Sequence, residues 1–348
     1  MMLKLTFLGT SSGTPTRHRN VAGLAVQTAR DADWFLVDCG EGTQHRLLQT
    51  PLSLHDMAAV CITHVHGDHC YGLPGLLASA GMAGRTRALT LVAPRPVRAW
   101  FEATRQLTDL HLPYEVTHVD VEDQALVYEA PGVRIERHVL RHRVPSHAYR
   151  VQVQTRRARL KADALKATGL PPGPAWRALQ NGEDVPFGGA LLRSADFADT
   201  QVDTAAAVLG GDNADPALLH DACQGAQLLV HEATYTQDVL DKVGPGPMHS
   251  SARRVAEAAQ ASGVPNLVLT HFSARHQNEQ GMAALMAETQ AHYRGHAFLA
   301  DDLDVFALDS AGAVSVTHAP GHHAVRHGPD TRRLHVAGAL EEDKKRKR

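Results

Sequence analysis

Cysteine is scarce: the 348 residues include four, Cys39, Cys61, Cys70 and Cys223, and no two are spaced as a CxxC pair. That excludes a disulfide scaffold and a thiolate zinc cluster, and it fits a reducing, cytoplasmic setting. Long apolar runs are missing too, since no stretch approaches the roughly 18 residues a membrane helix needs. The first nine residues carry neither the apolar region nor the small-residue cleavage site of a secretory signal. Charge of one sign is also lacking. Lys and Arg number 35 against 37 Asp and Glu, a formal charge of −2, which rules out a globally basic nucleic-acid coat but not a local basic patch. No repeat at a solenoid period is present. Histidine, by contrast, is abundant at 23 residues, so any bound metal will be held by nitrogen and oxygen. A hydrophobic share of 43% with 21% charged residues describes a globular chain, long enough for two domains or one large one.

Strand-like runs open the sequence at residues 3–8, 23–26, 34–37 and 58–62, each short and bounded by Gly, Pro, Asp or Ser. A helix is expected from Pro96, with Val97, Trp100, Phe101, Thr104 and Leu107 on one face. Residues 114–154 read as extended segments, with a turn at Gly132. Strands are then expected at 206–209, 227–230 and 266–270, with helices from Pro216, from His249 and over 278–293. Strands interleaved with helices in both halves predict an α/β layered protein. Two segments fall outside this pattern. Residues 155–186 hold Arg156, Arg157, Arg159, Lys161 and Lys166, followed by Leu170-Pro171-Pro172-Gly173-Pro174. The prolines stop any long helix, so a projecting arm or helical hairpin is expected. The tail from about 311, rich in His and Gly, ends in Lys344-Lys345-Arg346-Lys347-Arg348 and reads as solvated and disordered.

The strongest chemical signal is Thr63-His64-Val65-His66-Gly67-Asp68-His69, directly after a strand. Three imidazoles and a carboxylate in six residues cannot form an apolar core, because each buried ring needs a partner. His64 and His66 alternate to one side of the strand end, and the turn at Gly67 brings Asp68 and His69 round to them. Four donors on one turn would crowd a single tetrahedral site, so two adjacent metals fit better. Further donors stand at other strand ends: Asp212 in Gly210-Gly211-Asp212-Asn213, His271 after Leu267-Val268-Leu269-Thr270, and His142 in Leu140-Arg141-His142-Arg143. Singly each is an ordinary turn residue; together they belong at one edge of a layered sheet. A last group joins His231-Glu232 with His249. Glu232 orients a histidine and raises its pKa, making His249 an acid, while Ser250 and Ser251 read as helix caps.

The cluster His64-x-His66-x-Asp68-His69 resembles the signature of the metallo-β-lactamase superfamily. Further segments narrow the resemblance: Phe7-Leu8-Gly9-Thr10-Ser11-Ser12-Gly13-Thr14-Pro15, Arg19-Asn20, Val37-Asp38-Cys39-Gly40-Glu41-Gly42-Thr43-Gln44, Gly72-Leu73-Pro74-Gly75-Leu76, His231-Glu232-Ala233-Thr234 and His271-Phe272-Ser273-Ala274-Arg275. Together they are similar to the ribonuclease Z family, endonucleases that trim the 3′ trailer from precursor tRNA. The resemblance runs from Leu3 to about Phe306. It implies a four-layer αβ/βα sandwich over residues 1–310, a flexible arm at 155–186 that grips tRNA, and a disordered basic tail at 311–348. It implies two Zn2+ ions per chain, with Mn2+ also accepted: His64, His66 and His142 on one, Asp68, His69 and His271 on the other, Asp212 between them. Homodimerisation follows from the resemblance alone. Two departures stand out: Asn213 where the family has Thr, and Ser146-His147-Ala148-Tyr149 where it has a Gly-Tyr pair.

Two cations about 3.5–4 Å apart bind a phosphate oxygen, lower the pKa of a bridging water and clamp an in-line attack. In that scheme Asp68 is the base that positions the attacking hydroxide. His249, aided by Glu232, is the acid for the departing ribose oxygen. The loop of residues 9–15 is a candidate for donating N–H groups to phosphate. Arg156, Arg157, Arg159, Lys161, Lys166 and Arg275 are expected to meet RNA, with Trp176 either stacking on RNA or packing the arm onto itself. The alternatives are a phosphodiesterase of the same fold acting on small or other nucleic-acid substrates, and an RNA-binding protein with a vestigial site.

Overall fold

The structure is a computed structural model and describes residues 1–28 and 32–319. Apolar residues on both faces define the first strands: β1 (Leu3–Gly9), β2 (Gly23–Thr28) and β3 (Trp34–Cys39) are buried along most of their length, so layers must cover both sides. β4 (Met57–Cys61), β5 (Leu89–Ala93) and β6 (Val116–Asp120) continue in parallel from β3. The chain then meanders antiparallel through β7 (Leu126–Ala130), β8 (Val133–Leu140) and β9 (Ser146–Leu160), turning at Gly132, whose φ of +77° suits glycine. After a short hairpin, β10 (Val185–Phe187) and β11 (Ala190–Leu192), β12 (Ala198–Gly210) returns beside β9. β13 (Leu228–Glu232), β14 (Asn266–Thr270) and β15 (His296–Leu299) extend that sheet in parallel. β16 (Val305–Leu308) and β17 (Val314–Thr317) cross back to the first sheet, β16 lying antiparallel to β1.

Two sheets result, ordered β17-β16-β1-β2-β3-β4-β5-β6 and β15-β14-β13-β12-β9-β8-β7. Between them lies one apolar core, including Phe7, Tyr149, Val151, Val230 and Phe306. The outer face of the first sheet packs on helices Leu73–Met82 and Arg95–Leu107 through Leu73, Leu77 and Phe101. The outer face of the second packs on Ala252–Ser262 and Glu279–His292 through Val255 and Leu285. Helix, sheet, sheet, helix is the expected four-layer αβ/βα sandwich. Because β8 and β12 are both antiparallel to β9, β8, β12, β13 and β14 all end at the same edge. Tyr149, fully buried, ties the sheets together there by donating its hydroxyl to the Ile62 carbonyl at 2.6 Å. His147 adds two contacts to the Thr63 carbonyl, from its backbone N–H and its Nδ1, both at 3.1 Å.

The arm differs from expectation in extent. β9 and β12 stay paired as far as Leu160 opposite Ala198, so the stem needs a returning strand and the excursion runs well past residue 186. Its cap holds the short helices Ala162–Ala167, Pro174–Gln180 and Ser194–Phe197. They close on a small core of Leu165, Leu170 and Leu179 backed by Trp176, Phe187 and Phe197. Trp176 donates its Nε1–H to the Leu170 carbonyl at 3.1 Å, so it packs the arm onto itself.

The tail also begins later than expected. Val314 and Val316 pack on the core between the sheets and hold β17 in place, so the catalytic domain continues past residue 310. The Lys344-to-Arg348 run lies outside the described residues. Leu107, placed on the buried face of its helix by the sequence pattern, is 85% exposed at the helix's last position. The helix Leu73–Met82 was masked in sequence by its Pro and Gly.

Because the arm has its own core, Leu179→Ala should loosen it locally, at the ~2–5 kcal/mol typical of a buried Leu→Ala change. The expected outcome is faster tryptic cleavage at Lys161, Lys166 or Arg177, with the sandwich remaining resistant.

Candidate metal centre

The seven donors expected from the sequence converge at the shared sheet edge. β4 runs out into an extended segment that carries His64 and His66, and the short helix Gly67–Cys70 then turns Asp68 and His69 back toward them. Asp212 follows β12, His142 follows β8 and His271 follows β14. Gly211 lets the β12 end approach, since a Cβ there would stand 2.6 Å from the Thr63 Cβ. Two donor sets form. In the first, His66 Nδ1 lies 3.1 Å from both His64 Nε2 and His142 Nε2, and Asp212 Oδ2 lies 3.6 and 3.7 Å from those two Nε2 atoms. In the second, His69 Nε2 and His271 Nε2 are 3.3 Å apart, with Asp68 Oδ2 at 3.6 and 3.4 Å from them and Asp212 Oδ1 at 3.4 and 3.3 Å. Asp212 thus turns one carboxylate oxygen to each set. Nitrogen ligands 2.0–2.1 Å from a tetrahedral zinc stand about 3.3 Å from one another, so both sets have the right size.

Proton positions sharpen this fit. The Thr63 hydroxyl donates to Asp38 Oδ2 at 2.9 Å, so it accepts from His64 Nδ1 at 3.0 Å. The Thr234 hydroxyl donates to Glu232 Oε2 at 2.5 Å, so it accepts from His271 Nδ1 at 3.1 Å. His69 Nδ1 donates to Asp38 Oδ2 at 2.7 Å, and His142 Nδ1 donates to the Met248 carbonyl at 2.9 Å. In all four rings Nδ1 is engaged outside the cluster, so Nε2 is the nitrogen aimed into it and, without its proton, is free to bind a metal. The 3.3 Å contact between His69 and His271 brings two Nε2 atoms together and needs positive charge between them, a proton on His69 or a metal ion. Burial holds His64 well below the usual imidazole range, and burial also lowers His66 and His142. His69 goes the other way. Burial opposes its charge, but Asp212, Asp38 and Asp68 outweigh burial and push it up to about 10. The carboxylates at this site call for positive charge. Backbone strain marks the same place: of five non-glycine residues with positive φ among the described residues, Asp38, Met248 and His271 all touch the cluster.

Glu232 lies fully inside. Its Oε1 accepts from His249 Nδ1 at 3.1 Å, from the Ser250 N–H at 3.1 Å and from the Asn213 N–H at 3.0 Å. Burial would raise its carboxyl, but His249 and the neighbouring rings hold it well below the carboxylate range. For His249, burial opposes the imidazolium, and Glu232 and Asp212 outweigh it, pushing the ring up to about 9. Ser250 is therefore a partner of Glu232, not a cap; Ser251 alone caps Ala252–Ser262, accepting from the Arg254 N–H at 3.2 Å. Asn213, a departure from the family pattern, locks the Asp212 turn. Its Nδ2 reaches His231 Nε2 at 3.1 Å, and its Oδ1 accepts from the Arg141 N–H at 3.2 Å, so it couples the Asp212 loop to the His142 loop. Asp38, near the end of β3, has no local sequence signal for its role, because its partner His69 is 31 residues away.

Other expected site residues are placed less tightly. In the loop of residues 9–15, the Gly13 N–H donates to Asp68 Oδ2 at 2.8 Å, so this amide steadies a donor. Arg275 is exposed on the turn Ala274–His276. On the arm, Arg156 and Arg159 are exposed on β9 and Arg157 sits opposite Gln201 in the ladder. Lys161 pairs with Asp199 at 2.9 Å and Lys166 with Asp163 at 3.4 Å. His147 points to backbone and belongs to the sheet edge.

A family model described as "Anti-Pycsar protein Apyc1" matches residues 3–102, the part that carries His64 to His69. Over longer spans, the chain is 47% identical to ribonuclease Z of Marinobacter nauticus across 312 residues, covering 88% of this chain and 97% of that protein. It is 44% identical to ribonuclease Z of Pseudomonas putida across 319 residues, covering 90% and 100%. The Brevibacillus brevis ribonuclease Z is 37% identical over 307 residues, covering 86% and 95%. Among solved structures, the short form of human tRNase Z superposes with a TM-score of 0.59 at 22% identity, covering 87% of this chain and 98% of that one. The Bacillus subtilis metallo-β-lactamase fold protein YhfI gives a TM-score of 0.60 at 18% identity, covering 87% and 98%. Those two likenesses concern the fold. With sequence relatives aligned along nearly their whole length, the chain belongs to the ribonuclease Z family, metal-dependent endoribonucleases of the metallo-β-lactamase fold.

Proposed function

We propose that this chain removes the 3′ trailer from precursor tRNA, working as a cytoplasmic homodimer with two zinc ions per chain. The observation that carries the reading is the set of four Nε2 atoms converging around Asp212. His64, His66 and His142 would hold one ion and Asp68, His69 and His271 the other, with one Asp212 oxygen turned to each set; the same donors would accept manganese. Metal ions bound there would supply charge neutralisation for the phosphodiester and acidify bound water. Asp68 keeps Oδ2 on the donor set and the Gly13 amide, which leaves Oδ1 to orient the attacking water and take its proton. His249, with Nδ1 held by Glu232, presents Nε2–H to the ribose 3′ oxygen. As the water oxygen bonds to phosphorus, the phosphorus–O3′ bond breaks and O3′ leaves with the His249 proton. Glu232 positions that ring. The arm, with its own core, grips RNA away from the cut.

Three tests follow from these roles. Incubated with a precursor tRNA carrying a 3′ trailer, the protein should release the trailer in one cut, and a chelator should abolish it. Replacing residues 161–197 by a short turn should remove that cleavage and spare a small chromogenic phosphodiester. Joint loss of both activities would mean that the arm is no exosite, and intact tRNA cleavage would favour a phosphodiesterase with no need of the arm.

Asp38→Asn removes the carboxylate that fixes His69. Such a change in a ligand's partner weakens metal binding about 10–100-fold, read as metal content after dialysis against a competing chelator.

The acid form of His249 must be protonated, and its pKa is pushed up to about 9. Activity should therefore hold while Glu232 keeps that ring protonated and fall on the alkaline side, below that value once cations offset Asp212. Asp212 faces the cations, so Glu232 is what sustains the proton. Glu232→Gln leaves burial dominant, and the alkaline limb of kcat should move to lower pH with metal saturating.

A further inference from the structure

Beside the donor cluster lies an aromatic surface that the reaction scheme does not use. Tyr71 follows the helix Gly67–Cys70, its N–H bonded to the Gly67 carbonyl at 2.9 Å. Side chains on a helical turn lean toward its start, so a residue four positions on covers the first. Here the Tyr71 ring lies so close over Gly67 that a Cβ there would stand 2.1 Å from the ring's Cε2. Gly67 is flanked in the chain by His66 and Asp68, one donor from each set. The ring is thus fixed one residue away from both halves of the centre. Trp100, half-buried on Arg95–Leu107, braces it with ring centroids 5.8 Å apart at a 39° tilt. Tyr71 nonetheless stays 62% exposed, and its hydroxyl makes no hydrogen bond among the described residues. Scattered exposed apolar side chains need no explanation, but an exposed ring held over Gly67, between His66 and Asp68 in the chain, has a definite ligand chemistry.

We propose that Tyr71, braced by Trp100, is the stacking platform for an unpaired nucleobase adjoining the scissile phosphodiester. The proposal rests on the endoribonuclease reading. Single-stranded bases at helix junctions stack on aromatic side chains. Such contacts tolerate any base, because each has a π face, and a face contact suits an enzyme that must cut beside trailers of varied sequence. Gly67 is needed because any side chain there would lift the ring off the backbone.

The test compares wild type, Tyr71→Ala and Tyr71→Phe on a precursor tRNA and on the same RNA made abasic at each nucleotide flanking the cut. Tyr71→Ala should lower kcat/KM about 5- to 100-fold, the range that base–aromatic stacking spans. Tyr71→Phe should stay within about twofold of wild type, and metal content and thermal midpoint should not move. One abasic position should cost wild type the same factor and cost Tyr71→Ala nothing more. Unchanged kinetics in Tyr71→Ala, or an abasic penalty that persists in it, would overturn the platform. So would a shift of Tyr71→Ala from dimer to monomer, which would make the ring an interface between copies. If wild type fails to cut precursor tRNA, the functional reading falls by itself. The platform is then read from 2-aminopurine fluorescence in a short single-stranded RNA: quenching by wild type and not by Tyr71→Ala supports it, and equal quenching overturns it.

Discussion

Ring nitrogens and carboxylate oxygens crowded together are the constraint from which the rest of the structure follows. His69 Nε2 and His271 Nε2 stand 3.3 Å apart, with Asp68 and Asp212 oxygens at comparable distances. Unless positive charge lies between them, such groups repel, and a chain free to relax would turn the rings away. This chain prevents that by engaging the other nitrogen of each ring. Asp38, Thr63, Thr234 and the Met248 carbonyl each take one Nδ1 proton. Left-handed backbone at Asp38, Met248 and His271 is a further cost borne at this one place, and it persists because the sandwich around it over-determines the conformation.

The sandwich supplies that over-determination through its strand directions. β8, β12 and β14 end at one edge and deliver His142, Asp212 and His271 within one or two residues of their last positions, while the run beyond β4 brings the other four donors. Glu232 then joins what the strands deliver. One buried carboxylate accepts from the ring of His249, from the backbone that carries Asp212, and from Thr234, which in turn holds His271. The proposed acid and a candidate metal donor are thereby positioned by the same group, so removing Glu232 must disturb more than acidity. The short spacing of His231 and Glu232 in the sequence conceals a division of labour. His231 faces Asn213 and acts on the scaffold, whereas Glu232 faces the chemistry.

What the sequence made legible, and what it hid, follows from distance along the chain. Four donors within six residues need no fold to be recognised, and strand-end residues such as Asp212 and His271 follow once the strands are read. Asp38 was hidden because its partner is His69 and nothing local distinguishes it from a turn aspartate. Ser250 looked like a cap because it precedes a helix, yet its hydroxyl goes to the Asn213 carbonyl and its N–H to Glu232. The arm's far end was hidden for a different reason. Proline at 171, 172 and 174 announces where regular structure stops, but nothing in residues 187–204 announces that the chain must come back as the second strand of a stem. Likewise β17 is only four residues long, and its alternation is too brief to stand out against a His- and Gly-rich tail.

On the proposed function, the arm separates recognition from chemistry. Its cap packs on Leu165, Leu170 and Leu179 and is joined to the sandwich by a two-stranded stem, so substitutions there do not reach the donors. Its charge is more modest than a count of basic residues implies, because Lys161 and Lys166 are paired with Asp199 and Asp163. Exposed pairs of this kind are weak and screened, so a polyphosphate backbone competes well for both lysines. Binding by exchange of partners would be steep in salt, each phosphate contact releasing a counterion. The donor cluster, buried and held by hydrogen bonds to neutral groups and to Asp38, should stay indifferent to salt over the same range. Salt dependence confined to RNA affinity and absent from turnover of a small phosphodiester would therefore be the signature of an arm and a centre that work independently.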